Sequence, residues 1–341
     1  MDQGPHMSDE LVKTGRIVTV FGGSGFVGRH VVRALARQGW RIRVACRRPD
    51  LAYHLQPLGR VGQIHAVQAN LRYPDSVAAA LHGSEAVVNL VAILNEHGAQ
   101  KFAALHVRGA RAVAQAAAQA GITNVVHVSA MGADADSPSL YARTKAAGEA
   151  EVLASCPDAV IFRPSLIFGP EDSFFNRFAA LARISPVLPL FGGGETKFQP
   201  VYVGDVAEAI ARALAGHAQP GAVYELGGPE VKTFRELMQY VCDVIGRRRI
   251  LLPLPFAAGD AMAFGTEIAD SLSLGLFPKM LLTTRDQIKL LAADNVVGAQ
   301  AAADHRTLEG LGIHAEAIES IVPTYLVRFR KTGQFESQKL A

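Results

Sequence analysis

Residues 17–28, reading IVTVFGGSGFVG, constrain this chain more than any other stretch. Apolar residues lead into Gly22-Gly23-Ser24-Gly25, and Phe26-Val27-Gly28 open an amphipathic run. That order predicts a buried parallel strand, a tight turn and a helix whose free N–H groups and positive dipole end face an anion held at the turn. Gly22, Gly25 and Gly28 follow a G-x-x-G-x-x-G spacing. The first can take the turn, the second admits a pyrophosphate close to backbone, and the third lets helix pack on strand. Glycine-rich turns are common in themselves. Here a second strand over 41–46 supplies the context the motif needs, so a dinucleotide site is expected rather than a bare structural turn.

The rest of the first half repeats the unit. A helix over 26–38 carries Val27, Val31 and Leu35 on one stripe and stops at Gly39. Strands are expected at 41–46, 64–68, 84–94, 124–129 and 159–163, and helices at 102–120 and 140–154. Residues 84–94 are apolar nearly throughout, as a strand covered on both faces should be. The alternation predicts an α/β doubly wound parallel sheet. After Pro164 the rhythm breaks at Pro170, Pro186, Pro189, Gly192–Gly194 and Pro200. A helix at 205–215 and a strand at 222–226 return to the sheet. From about Lys232 a smaller, mainly helical part is expected, with a proline-rich hinge at residues 252–255. The expected division is a nucleotide domain over 16–163 with a return segment near 201–230, a smaller substrate or partner domain from 164–200 and 231–330, and a tail at 331–341. Residues 1–15 form an N-terminal tail in which MDQGPH reads as a tag remnant before a native start at Met7.

Bulk properties exclude several classes. Hydrophobic residues make up 49% of the chain and charged residues 19%, which allows a large core and argues against disorder. A formal net charge of +3 is too small to imply nucleic acid. Basic clusters at 247–249 and 328–331 read as solvated helix ends, an anionic membrane or partner surface being the minor alternative. Cys46, Cys156 and Cys242 are scattered without a C-x-x-C, and the eleven histidines lack ligand spacing, so neither a disulfide framework nor a metal is expected. No apolar run reaches the roughly 18 residues of a membrane span.

The strongest catalytic signal is Tyr141-Ala-Arg-Thr-Lys145. Positions i and i+4 of a helix share a face, so phenol and ammonium can sit side by side. A neighbouring ammonium stabilises tyrosinate, which makes Tyr141 a candidate acid/base with a lowered pKa. Ser129, at a strand end twelve residues earlier, could hydrogen-bond a substrate oxygen beside it. Y-x-x-x-K alone is usually a surface helix face; the glycine turn and strand-end serine in order make chance the poorer explanation.

With GGSGFVG, the NLVA of 89–92, the HVSA of 127–130, YARTK and the RPSLIFGP of 163–170, the chain resembles an extended or atypical short-chain dehydrogenase/reductase of Rossmann type. The resemblance implies Ser129, Tyr141 and Lys145 as the catalytic set. It places a cofactor against Gly22, Ser24, Gly25, Phe26, Val27, Gly28, Val91 and Ala92, with Lys145 on the nicotinamide ribose and Pro164 to Ile167 along the nicotinamide. A narrower resemblance runs through 162–179, 191–210 and 282–297, to the subfamily of the nucleotide-binding accessory subunit of respiratory complex I and its bacterial relatives. It implies bound NADPH that need not turn over, and association with complex I assembly or ubiquinone biosynthesis.

The second strand ends in Cys46-Arg47-Arg48-Pro49, with no carboxylate until Asp50. An acid there would bind a ribose 2′-hydroxyl and repel a 2′-phosphate, whereas arginine suits the phosphate, so NADP(H) is favoured over NAD(H). Asn70 and Leu71 sit where adenine is expected. His106 stands where the family often has an asparagine supporting a water relay. It could substitute, could titrate near neutral pH, or could be a packed helix residue, which is the expectation. Glu171-Asp172 and Asp205 read as helix caps. Phe174, Phe175, Phe178, Phe191 and Phe198 read as core, with an apolar substrate cleft as the second reading.

Three functions are therefore weighed. The first is an NADP(H)-dependent oxidoreductase acting on an alcohol or carbonyl, with an apolar, quinone-like or isoprenoid-related substrate. The second is a non-catalytic, NADPH-stabilised accessory or assembly protein of complex I or of ubiquinone biosynthesis. The third is a sugar-nucleotide epimerase or dehydratase, which usually prefers tightly held NAD. The expected location is cytoplasmic, with a peripheral place at the inner face of the membrane and a respiratory-complex partner as further expectations. Substrate, direction of reaction and oligomeric state are left open.

Overall fold

The structure is a computed structural model that describes residues 15–273, 281–331 and 333. The expected tag remnant and Met7 start lie outside the described residues, as do most of the C-terminal tail and residues 274–280. Ile17–Phe21 forms β1, Arg41–Cys46 β2, Ile64–Gln68 β3, Ala86–Asn89 β4, Asn124–Val128 β5, Val160–Pro164 β6 and Val223–Leu226 β7. These seven make one parallel sheet in the order β7-β6-β5-β4-β1-β2-β3. The chain runs outward from β1 through β2 to β3, crosses back to β4, and continues to the other edge. The loops leaving β1 and β4 therefore diverge, and a crevice opens at the carboxyl ends of those strands.

Side-chain alternation fixes which helices cover which face. Val18 and Val20 of β1 point into a cluster with Val31, Val32 and Leu35 of α1 (Phe26–Arg37). Phe21 points to the opposite face, into a cluster with Val77 and Leu81 of α2 (Pro74–Leu81), Val113 and Ala117 of α3 (Ala110–Gln119) and Val152 of α4 (Leu140–Ser155). Thr19, fully buried within β1, is satisfied by the Ala80 carbonyl at 3.0 Å and the Ser84 hydroxyl at 2.7 Å.

Beyond β6 a third core gathers Phe168 and Phe175 with Leu188, Phe234, Leu237 and Val322. It joins α5 (Phe175–Ile184) to α7 (Phe234–Val244) and to α11 (Ile318–Leu326). Between these, α6 (Val203–Leu214) returns to the β1 face through Val206 and Ile210. The remaining helices are α8 (Phe256–Leu272), α9 (Arg285–Leu290) and α10 (Ala299–Ala303).

Three elements differ from the sequence reading. The strand expected over 84–94 is only Ala86–Asn89, because the ladders to β1 and β5 end at Asn89 and give Leu90 onward no further strand to pair. The helix expected over 102–120 begins as a π-helical stretch, Ala103–Gly109. There Gly148 of α4 abuts the His106 carbonyl closely enough that a side chain would overlap it. The proline-rich hinge expected at 252–255 belongs to a strand, Ile250–Leu254, which pairs in parallel with Val187–Phe191. Pro189 and Pro253 are tolerated because in a two-stranded pair each strand has an outer edge that requires no N–H.

Candidate functional site

The crevice is a cavity of about 620 Å³ at the carboxyl ends of the strands. Its base is the turn after β1. Gly22 sits at φ +79°, with Leu90 and Val91 backbone 3.3 Å from where its Cβ would lie. A Cβ on Gly28 would lie 2.5 Å from the Gly23 Cα. Turn and helix thus touch backbone to backbone, which requires glycine at both places. Among the described residues no side chain caps α1 at Gly25, and its first turn holds no acid, so the N-terminal amides are open to an anion. Gly22, Ser24, Gly25, Phe26, Val27 and Gly28 all line the cavity.

At one end the walls come from β2 and β3. Arg47 lines the cavity, is exposed, and has no ion-pair partner among the described residues. Arg48 is turned away: its guanidinium bonds both carboxylate oxygens of Asp50, the shortest contact being 2.7 Å, and it contributes nothing to the lining. A carboxylate two residues along an exposed strand end captures the nearer arginine and leaves Arg47 as the available cation. Arg72 joins it in the lining. Asn70 lines the cavity too, its side-chain oxygen accepting the Arg72 N–H at 3.2 Å and its amide NH2 remaining without a partner among the described residues. Leu71 lies beside it, buried.

The other end holds the reactive groups. Ser129 follows β5 and lines the cavity, and its Oγ is buried with no hydrogen-bond partner among the described residues. A buried hydroxyl facing a cavity can be satisfied by a water or a ligand taken up there. Tyr141 lines the same wall from the first turn of α4. Burial pushes its phenol up to about 12. Lys145 is behind the wall, 1% exposed, and donates to the Val128 carbonyl at 2.8 Å. Burial lowers its ammonium to about 8. The expected lowering of the phenol pKa by Lys145 is therefore not seen: burial alone sets the direction at Tyr141, and the ammonium bonds a carbonyl instead.

His106 packs as an interior residue. Its Nε2 accepts the Ile93 N–H at 3.1 Å, which places the ring proton on Nδ1, facing Thr144 Oγ1 at 3.1 Å. The ring stands edge-on to Tyr141 with centroids 5.3 Å apart. Burial, with Lys145 nearby, lowers it to about 3, so it is neutral at physiological pH. What it does for the site is hold Ile93, part of the segment from Leu90 to Leu94 that includes Val91 and Ala92 and forms one wall.

Pro164, Leu166 and Ile167 form the opposite wall, followed by Ser173 and Phe174. Phe174 lines the cavity and packs on Phe178 at 5.0 Å between ring centroids. Phe175 is fully buried. The loop before them is pinned by Asp172, which accepts the Asn176 N–H at 3.3 Å near the start of α5 and the Tyr325 hydroxyl at 2.5 Å. Asp205 lies inside the first turn of α6 and accepts the Glu316 N–H at 2.8 Å.

Cys46, Arg72, Leu94, Gln100 and Leu105 also line the cavity and were not singled out from the sequence. Arg72 had one signal available, a cation two residues past Asn70 at a strand end; Gln100 and Leu105 had none. Among the described residues no cluster of His, Cys, Asp and Glu could hold a metal ion, and no helix is long and apolar enough to cross a membrane.

The model of the NAD dependent epimerase/dehydratase family matches residues 18–227, and the chain belongs to that family. Within reach of that family, it is 34% identical over 325 residues to the mitochondrial NADH dehydrogenase (ubiquinone) 1 alpha subcomplex subunit 9 of Arabidopsis thaliana, covering 94% of this chain and 79% of that protein. It is 33% identical over 246 residues to a ceramide reductase of Caulobacter vibrioides, covering 70% of this chain and 74% of that protein. Among solved structures, an NADPH-dependent quinone oxidoreductase from Escherichia coli, complexed with NADPH, superposes with a TM-score of 0.69 at 20% identity, covering 91% of this chain and 99% of that one. That likeness shows the shared fold.

Proposed function

We propose that this chain binds NADP(H) and acts as a short-chain-type oxidoreductase on an apolar carbonyl or alcohol. The observation that carries the reading is the unpartnered Ser129 hydroxyl, buried in the same cavity wall as Tyr141. The glycine turn and the uncapped start of α1 fit a pyrophosphate, and Arg47 with Arg72 fits a 2′-phosphate. A bound nicotinamide supplies the hydride donor or acceptor. Ser129 Oγ donates to the substrate oxygen and orients it, and Tyr141 Oη gives or takes that oxygen's proton. Lys145, fixed on the Val128 carbonyl, keeps a cation behind the phenol.

Leu94, Gln100, Leu105, Leu166, Ser173 and Phe174 line the rest of that end without a charged side chain. Such a surface favours a quinone-like or lipid-like molecule, and gives a sugar nucleotide's diphosphate nothing to pair with. In this reading 16–163 with the return near 201–230 is the nucleotide domain, and 164–200 with 231–330 the substrate or partner domain.

A second reading is favoured by the 34% identity to complex I subunits: an NADPH-stabilised accessory or assembly protein, at the membrane-associated complex. Tyr141→Phe separates the two. Turnover of an apolar quinone or ketone by the wild type, reduced at least ~100-fold in the variant while NADPH affinity holds, supports catalysis. Absence of turnover in the wild type, with bound NADPH exchanging over hours, favours the accessory role.

A further inference from the structure

The first amides of a helix have no acceptor inside it and must find one elsewhere. In α4 the Ser139 side chain accepts only the Ala142 N–H, at 3.3 Å. The Leu140 and Tyr141 amides are taken by one carboxylate far along the chain: Asp286 Oδ1 accepts Leu140 N–H at 2.7 Å, and Oδ2 accepts Tyr141 N–H at 3.1 Å. Ser139 Oγ donates to the same Oδ2 at 2.9 Å. A negative charge at that place also complements the helix dipole, and its bonds are charge-assisted.

Asp286 is itself held. Its helix α9 starts with a capping box between Thr284 and Gln287. Arg285, the preceding residue, donates to Asp260 of α8 at 2.9 Å. Gln287 Nε2 donates to Asn95 Oδ1 at 3.0 Å, next to the cavity-lining Leu94. The segment therefore bonds the tyrosine's helix through one residue and the loop after Leu94 through the next.

We propose that Asp286 is a positioning residue for Tyr141, acting as the N-terminal cap of α4 supplied from the C-terminal part of the chain. Tyr141 is the second residue of α4, in the turn that frays first when its amides lose their acceptor. Its backbone is thus fixed by a group outside the cavity lining. This rests on the assignment of Tyr141 as acid/base for the chemistry, but the placement of the ring can be read without any turnover.

The test uses the full chain labelled with ring-13C tyrosine, the Tyr141 signal being identified by its loss in Tyr141→Phe. In Asp286→Ala that signal should shift or broaden while the other tyrosine signals hold and NADPH affinity stays within about twofold; where turnover exists, kcat should fall at least ~10-fold with little change in NADPH affinity. Asp286→Asn retains one acceptor oxygen, is the milder change if the alanine variant does not fold, and should give an intermediate shift. An unmoved Tyr141 signal in the folded variants overturns the proposal. So does a shift spread over all tyrosines with loss of NADPH binding, which marks a general structural role. If the wild type proves inactive, the assignment of catalysis fails and the ring signal still decides the placement.

Discussion

At the scale of single residues, the site sets a buried cation against its own solvation. Lys145 titrates at about 8 when folded, against 10.5 for an ordinary lysine, chiefly because burial disfavours the ammonium. Between those values the unfolded chain holds a proton that the folded chain has released, so raising the pH favours the folded state. Stability should climb from about pH 8 to about pH 10.5 by roughly 3 kcal/mol through this one group, and be flat below 8. Lys145→Met removes the effect. Urea midpoints of both proteins across pH 7–10 check it, and only the difference between them counts, since phenols titrate near the upper end. Parallel curves would mean that the lysine keeps its proton as readily folded as unfolded. His106 adds a limb of the same sign at lower pH: held at about 3 when folded against 6.5 for an ordinary histidine, it lets the folded state gain stability as the pH rises from about 3 to about 6.5, and is flat above that.

At the scale of elements, what was legible in the sequence is what local chemistry decides. The turn after β1 is written in adjacent residues: Gly22 needs its positive φ, and Gly28 has no room for a Cβ. Gly28→Ala should therefore force α1 off the turn, lowering stability by about 2 kcal/mol or more and weakening nucleotide binding together with it. Thermal melts with and without NADPH measure both, and an unchanged melting point would show that the backbone contact yields easily. Strand ends and helix types were less legible because they depend on partners. Leu90 onward reads as strand, yet β1 and β5 give it no ladder. Pro253 reads as a hinge, yet Val187–Phe191 lies alongside it. Arg48 and Arg47 are equivalent on paper, and only the fold shows Asp50 holding the first. Asp286 reaches Tyr141 across 145 positions, a pairing no spacing rule encodes.

At the scale of the whole molecule, the cavity is lined by residues before and after Pro164, and segments from further along the chain brace its surroundings. Glycine turn, Arg47 and Tyr141 come from the sheet layer, while Tyr325 pins the loop at Asp172 and Gln287 holds Asn95. A nucleotide filling this crevice binds the folded chain alone, so it should raise global stability by about 2.7 kcal/mol at a hundredfold excess over its Kd. On the proposed reading, the cation at the strand end should make the effect selective. NADPH should stabilise the wild type more than NADH at equal concentration, and Arg47→Ala should shrink that gap by weakening NADPH while leaving NADH nearly unchanged, because the two differ only by the 2′-phosphate. Arg48→Ala should leave the gap intact, its guanidinium being committed to Asp50 outside the cavity. Denaturant titrations of the three proteins with each nucleotide measure all of this. Equal stabilisation of the wild type by NADH and NADPH would remove the 2′-phosphate from the assignment, and loss of the gap in Arg48→Ala would mean that the ion pair with Asp50 opens to the ligand.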